Sequence, residues 1–558
     1  MKNFLNYTDV LFFILILLVK TWLFSCAIDP SLTASIANHE LFIVRLSLNY
    51  LASCLIITAI AYLIHSKVWR IVVLVLTDIW LIANLIYFRS YNDLLNSWCL
   101  LSISNLSGFE TAIGTFLEWS DLAFVALSLL YGVCAFLLRN HSVYKKLYPT
   151  LTCLFLGLGL NIPQMIVSLH VGIPCNPYNK YYHDVSMGRV WYCTTYSLHK
   201  HFINELMASL SKDDISISNF MDETKLLQFV RPSDTYPETT PAPYNIVIVF
   251  FESLENWTTH LAVDNEEITP NLNLFSKSPR VHHMHLVPQV AQGMSSDAQL
   301  IVLTGLLPIK NGAVCMRFPR NAYFTLLKSC EFSKKEMYIP TAPTCWNQAA
   351  MCQAYGFEDL YATECADQQL IDTLCNDIKK MEQPYFLMGI TMASHSPFTK
   401  YADDSQLQLA NVKDTELRNY LRCVNYTDAC LGQLIRQITD TPLSENTILL
   451  IMGDHTIFYP KKRERFFREL SYQADPSSAL VPAFLYLPHS VETTNQEETL
   501  YQMDVYPTLL ALLNENYIWF GVGKNILDNT PRIISADSAA YISNSIIQQN
   551  FFYRLASQ

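Results

Sequence analysis

Three apolar stretches of this 558-residue sequence end in residues that can hold a cation or move a proton. YNIVIVFFES ends in Glu252 and Ser253, YFLMGITMASHSPF carries His395, and NTILLIMGDHT carries Asp454 and His455. Two carboxylates and an imidazole suit a divalent ion that takes mixed oxygen and nitrogen ligands, Mn2+ or Zn2+, with Mg2+ also admissible. A fourth stretch, AQGMSSDAQL at 291–300, offers the hydroxyls of Ser295 and Ser296. A hydroxyl bound to such an ion loses its proton near neutral pH and becomes a nucleophile. His395, expected two residues past its strand, would orient the substrate or protonate a leaving oxygen. Each piece alone has a plainer reading: Gly-Asp-His as a turn, and Ser-Ser-Asp as a helix N-cap signal. Their shared placement at strand ends favours chemistry. Local chemistry does not choose between the two serines.

The elements that must position these residues are parallel strands. Each stretch is continuously apolar and β-rich, the pattern of a strand covered on both faces. Helical stretches lie between them, such as 415–437, where Leu417, Leu421, Val424, Leu431, Leu434 and Ile435 form an apolar stripe. This alternation predicts an α/β domain over 244–558 with a mainly parallel central sheet, in which ligands bind at the carboxyl ends of the strands.

Residues 1–170 read differently. They hold five apolar runs, 10–28, 41–65, 70–88, 121–138 and 149–170, each near the ~20 residues that cross a bilayer. The predicted architecture is therefore a five-helix transmembrane domain followed by the α/β domain. Lys67, Arg70, Arg139, Lys145 and Lys146 lie in alternate loops. The positive-inside rule then places the N-terminus in the cytoplasm and the α/β domain outside the cytoplasmic membrane. Residues 171–243, punctuated by Pro174, Pro177, Pro232, Pro237, Pro241 and Pro243, read as a connector with an amphipathic helix near 196–212. Lys20, Arg45 and Asp78 are charges within apolar runs; Lys20 and Asp78 sit near mid-span and can pair, while a transport pathway is the sharper alternative.

The net charge of −11 excludes a phosphate-neutralising nucleic-acid binder. Ten of fifteen cysteines follow residue 170, which permits disulfides in an oxidising compartment. Cys423 and Cys430, about 10 Å apart along a helix, would need other partners.

Taken jointly, FFESLENW, TPNLNLF (269–275), QGMSSD (292–297), CWNQAAMCQAYGFEDLY (345–361), MASHSPF, VNYTDACLGQLI (424–435), IMGDH and QMDVYPTLLALL (502–513) resemble the lipoteichoic acid synthases. They also resemble the related membrane phosphoethanolamine transferases of the alkaline phosphatase/sulfatase superfamily. The resemblance implies Glu252, Ser295, Asp454 and His455 as metal ligands, Ser295 as nucleophile in place of the family's threonine, and Ser296 as a supporting helix N-cap. It implies His395, Trp346, Asn347 and Gln348 at the substrate. Where the synthases carry Trp-Asn-Arg this chain has Gln348, so a bidentate phosphate clamp is missing; the run KKRER (461–465) is a candidate replacement, with a solvated loop as its plain alternative. The cysteine content is closer to the disulfide-bearing phosphoethanolamine transferases. A sulfatase formylglycine context, with its proline and arginine, is absent from SSDAQ.

The expected function is metal-dependent transfer of phosphoglycerol or phosphoethanolamine from a membrane phospholipid to an envelope glycan or lipid acceptor, through a phospho-serine. Two alternatives stay open: a membrane-bound phosphodiesterase or sulfuric ester hydrolase of the same fold, and a non-enzymatic envelope binding or transport protein.

Overall fold

The computed structural model describes residues 8–29, 40–64, 66–91, 116–137, 148–171 and 197–202, then 227–230, 244–309, 312–320, 325–489, 499–513, 517–520 and 523–527, with a few isolated positions between. The chain divides into two compact units, one built from 1–100 and 113–213 and the other from 101–112 and 214–558.

The first unit contains helices α1 (Thr8–Ile28), α2 (Glu40–Leu63), α3 (Lys67–Tyr91), α4 (Leu122–Leu137) and α5 (Tyr148–Val171). Among the described residues, four helices are long and apolar enough to cross a membrane, where the sequence predicted five: Thr8–Ile28, Leu46–Leu63, Lys67–Ser90 and Trp119–Leu137. The fifth predicted run does form α5, but its side chains are described only to residue 161, short of a full span. The expected Lys20–Asp78 pair is present and fully buried. Ser128 completes it, accepting from Lys20 Nζ and donating to Asp78 Oδ2, 2.5 Å in each case. The Arg45 side chain lies outside the described residues, as does most of the predicted amphipathic helix, whose beginning at 198–202 is helical.

The second unit is built on an eight-stranded sheet. Its strands are β1 (Asn245–Phe251), β2 (Val281–Val287), β3 (Lys334–Ile339), β4 (Asp359–Ala362), β5 (Tyr385–Ile390), β6 (Thr447–Gly453), β7 (Val481–Tyr486) and β8 (Leu500–Tyr501). Their order is β8-β2-β7-β6-β1-β5-β3-β4. All run parallel except β7, which is antiparallel to both β6 and β2. The continuous apolar runs follow from burial on both faces: along β1, Ile246, Ile248 and Phe250 join one core, and Val247, Val249 and Phe251 the other. Helices α6 (Ser295–Thr304), α7 (Gln348–Tyr355), α8 (Asp367–Ile378), α9 (Thr415–Thr439), α10 (Pro460–Leu470) and α11 (Val505–Leu512) accompany the sheet. The predicted apolar stripe of α9 is buried, and the Asp414 side chain caps its start by accepting from the Glu416 and Leu417 amides. Part of the expected connector contributes structure to this unit, since Leu227–Val230 pairs antiparallel with Tyr517–Phe520.

Among the described residues no disulfide joins the cysteines. Cys315, Cys352, Cys375, Cys423 and Cys430 are buried in the two cores, so they pack as small apolar side chains.

Candidate active site at the strand ends

Strands β1 and β6 are neighbours, with Phe251 opposite Gly453. The next residues, Glu252 and Asp454, therefore leave the sheet side by side, and His455 follows. All three are buried. Gly453 is needed where the chain turns out of β6, because a Cβ there would lie 2.4 Å from the Leu254 carbonyl oxygen.

Ser295 arrives from a different direction, as the first residue of α6. Met294 precedes it at φ 45°, a backbone region that side chains disfavour. The bend is held by Asp297, whose Oδ2 accepts from the amides of Ala291 at 2.9 Å and Gly293 at 2.8 Å. Gly293 leaves room for that carboxylate, since a Cβ there would meet Asp297 Oδ1 at 2.2 Å. The structure corrects the role assigned to Ser296: the N-cap position is Met294, and Ser296 lies inside the first turn. Asp297, not a serine, closes the turn.

These elements bring four side chains together. Ser295 Oγ lies 3.1 Å from Glu252 Oε2 and 3.3 Å from His455 Nε2. His455 Nε2 lies 3.5 Å from both Glu252 Oε1 and Asp454 Oδ2. A tetrahedral ion with bonds of ~2.1 Å sets its donors ~3.4 Å apart, so these separations match the edges of such a polyhedron. Asp454 Oδ1 accepts from the Ser253 and His455 amides, each at 2.8 Å, whereas Asp454 Oδ2 is buried without a hydrogen-bond partner. That orphaned oxygen points to a missing positive charge. The electrostatics agree. Burial and then repulsion from Glu252 push Asp454 up to about 7. Burial also opposes the Glu252 charge, but attraction to His455 and His395 outweighs it and holds that carboxyl below its usual range. Glu252, Asp454 and His455 form a group whose ligand atoms lie within 4.8 Å of one another, and with Ser295 they fit a divalent cation.

His395 lies five residues beyond the end of β5, not two. The intervening turn is fastened by Asp367, which accepts from the Met392 and Ala393 amides. His395 Nδ1 is 2.7 Å from the Ser396 carbonyl, and its charge acts on Glu252. Trp346 and Asn347 form a left-handed turn at φ 48° and 50° that leads into α7. The turn begins at Cys345, whose thiol is raised by burial and by the Glu252 charge. Asn347 Nδ2 donates to the Cys315 carbonyl at 3.0 Å. Gln348 is buried at the start of α7, with its Oε1 lacking a hydrogen-bond partner.

The KKRER run is neither a phosphate clamp nor a solvated loop. It lies in α10, where Lys462 pairs with Glu416, Arg465 with Asp414 and Arg463 with Glu255. Glu255 is buried; it also accepts from Trp257 Nε1 at 2.7 Å and from the Ile457 and Phe458 amides at 2.9 Å. It thereby anchors the chain just beyond His455. Sequence reading missed this anchor and the polar row behind the site: Ser253 Oγ donates to Glu252 Oε1 at 2.6 Å, Ser394 Oγ to the Glu252 carbonyl, and Gln502 Nε2 to the Asp454 carbonyl at 2.7 Å. Their one local signal was adjacency to the strand-end motifs in FFESLEN, MASHSPF and QMD.

Comparison with known proteins accords with this architecture. Residues 244–515 match the Sulfatase family model. Residues 1–166 match the lipoteichoic acid synthase N-terminal domain. The lipoteichoic acid synthase of Staphylococcus aureus (strain USA300) is 23% identical over 488 residues, covering 79% of this chain and 72% of that protein. The integral membrane lipooligosaccharide phosphoethanolamine transferase A of Neisseria meningitidis shares the fold at a TM-score of 0.51, with 13% identity, covering 95% of this chain and 98% of that one. A crystal structure of the Listeria monocytogenes lipoteichoic acid synthase LtaP is also similar, with a TM-score of 0.45 and 20% identity over 56% of this chain and 92% of that chain. The two matches together span more than three quarters of the sequence. The chain thus joins a lipoteichoic acid synthase N-terminal domain to a Sulfatase-family domain and is similar to lipoteichoic acid synthase along most of its length.

Proposed function

We propose that this enzyme moves a phospho-headgroup, phosphoglycerol or phosphoethanolamine, from a membrane phospholipid to an envelope glycan or lipid acceptor, with Ser295 carrying the group between the two. The observation that supports this most directly is the Ser295 hydroxyl, set 3.1 Å from Glu252 Oε2 and 3.3 Å from His455 Nε2 at the start of α6. Glu252, Asp454, His455 and Ser295 would hold one Mn2+ or Zn2+, which when bound lowers the hydroxyl pKa and offsets negative charge at the phosphorus.

Ser295 Oγ attacks the phosphodiester phosphorus, the bond from phosphorus to the diacylglycerol oxygen breaks, and diacylglycerol leaves with a proton. An acceptor hydroxyl then attacks the phospho-serine, giving up its proton, and Ser295 Oγ leaves. His395 orients the headgroup and supplies or takes those protons. The N-terminus of α6 favours the anionic group. Trp346, Asn347 and Gln348 contact the headgroup; with glutamine in the place of an arginine, recognition rests on single hydrogen bonds in place of a two-pronged ionic grip. The α/β unit faces outward from the cytoplasmic membrane, beside a donor lipid that cannot leave the bilayer, which keeps the reacting groups close.

The test is to incubate the full-length protein in detergent with labelled phosphatidylglycerol or phosphatidylethanolamine and map adducts by intact-mass and peptide mass spectrometry. The expected result is a headgroup adduct on Ser295 that disappears in Ser295→Ala. An adduct that survives Ser295→Ala refutes the nucleophile. Steady release of headgroup to water in the presence of glycan and lipid acceptors would make the enzyme a hydrolase.

A further inference from the structure

A second group of imidazoles lies outside the strand-end site. Along β2 the pleat sends His282, Met284 and Leu286 to the buried side and His283 and His285 to the other face. The His283 and His285 ring centres are 4.8 Å apart, and His260 lies 5.6 Å from His283. His283 sits opposite Phe484 in the β-ladder and stacks on it at 4.4 Å and 4°. Its Nε2 is buried without a hydrogen-bond partner. His285 Nδ1 lies 2.8 Å from Asn256 Oδ1. The Asn256 amide is oriented by its own donation to Ser477 Oγ at 2.9 Å, and Ser477 Oγ donates to Asp475 Oδ1 at 2.7 Å. With an oxygen facing it, Nδ1 of His285 carries the proton and Nε2 is left as a donor of electrons, the arrangement that orients metal-bound histidines.

We infer that His260, His283 and His285 form a second metal site, for a divalent ion that prefers imidazole, such as Zn2+. An imidazole bound through nitrogen keeps its ring centre ~3 Å from the ion, so tetrahedral neighbours have ring centres ~5 Å apart; the two observed separations bracket that value. The strand-end group already has ligand atoms within 4.8 Å of one another; the three histidines are less tightly gathered, and closing round an ion requires the exposed His260 ring to turn toward His283 and His285 while His283 stays on Phe484 and His285 on Asn256. Burial and the neighbouring imidazoles push His283 down to about 3, which keeps it in the neutral form that binds metal. Bound there, an ion clips the turn at 256–260, which follows Glu252, to the strand that runs into the Ser295 loop.

The experiment uses full-length protein in detergent on an Asp454→Ala background, which disables the strand-end site, and equilibrium dialysis against Zn2+ alone. One ion per chain is expected to remain. His283→Ala with His285→Ala, or His260→Ala alone, should weaken its binding about 100-fold or more. His282→Ala, on the buried side, should leave it unchanged. Circular dichroism checks the fold; should the double variant unfold, Co2+ in the Asp454→Ala protein decides, because three nitrogens around a tetrahedral ion give strong visible absorption. Absence of Zn2+ on this background, or affinity indifferent to His260, His283 and His285, or Co2+ without that absorption, overturns the proposal. None of these readings depends on whether Ser295 is the nucleophile.

Discussion

Two buried polar clusters, one in each unit, are built from similar groups and end in opposite states. In the membrane unit, Lys20 and Asp78 pair with each other, and Ser128 bonds to both. One cation meets one anion, and the hydroxyl bridges them. In the α/β unit, Glu252, Asp454 and His455 meet with Ser295. Two carboxylates face one imidazole, and Asp454 Oδ2 has no hydrogen-bond partner. The first cluster is balanced in charge, which favours packing over transport as its role. The second is short of positive charge by design. Buried charge alone therefore does not mark function; an unbalanced set of donors does.

The largest effect tests the incomplete cluster. Ser295→Ala should lower headgroup transfer by about 10,000-fold or more, read as product formation in detergent with saturating lipid. Ser295→Thr should keep measurable activity, because either hydroxyl fits the same position. Next, a strong chelator should abolish transfer, with Mn2+ or Zn2+ restoring it. At an ion concentration of 100 Kd, bound metal should also stabilise the fold by about 2.7 kcal/mol, read by thermal unfolding with and without chelator.

The complete cluster should respond only in stability. Lys20→Met strands a buried carboxylate and should cost about 3–5 kcal/mol, while Lys20→Met combined with Asp78→Leu should cost less than Lys20→Met alone. Unfolding midpoints in detergent measure both, and metal content should not change in either. A Lys20→Met protein that loses metal while remaining folded would erase the contrast.

The smallest effect comes from a third buried carboxylate, satisfied by amides alone. Asp428 accepts from Asn271 N, Asn271 Nδ2 and Leu272 N, each at 2.9 Å. Burial nevertheless pushes it up to about 6 from its ordinary 3.8. The folded state thus binds its proton more tightly than the unfolded chain, so Asp428 makes stability fall as pH rises from about 4 to 6, by at most about 3 kcal/mol. Asp428→Asn should flatten that slope in denaturant titrations and leave metal content intact.

Much of the strand-end cluster was legible as a juxtaposition because strands buried on both faces announce themselves, and the residue after each must leave the sheet. Glu252, Asp454 and His455 were found that way. Ser295 could be separated from Ser296 only through family resemblance, since what places it is the Met294 bend and the Asp297 tie, neither visible as a local pattern. The row behind the site joins residues as far apart as Ser253 and Asp454, and no spacing rule reaches across such a separation. The KKRER run misled because a basic run looks alike whether it faces solvent, phosphate or the acids of a neighbouring helix. The cysteines misled because a thiol in an apolar core carries the same letter as one awaiting a partner.

The central claim is that Glu252, Asp454, His455 and Ser295 surround a divalent ion. Anomalous diffraction at the Mn or Zn absorption edge, from crystals of the full-length protein grown with that ion, tests it most directly. The account predicts a peak among these four side chains, with bonds of ~2.0–2.2 Å. Full occupancy elsewhere with no peak there, at saturating ion, would contradict it.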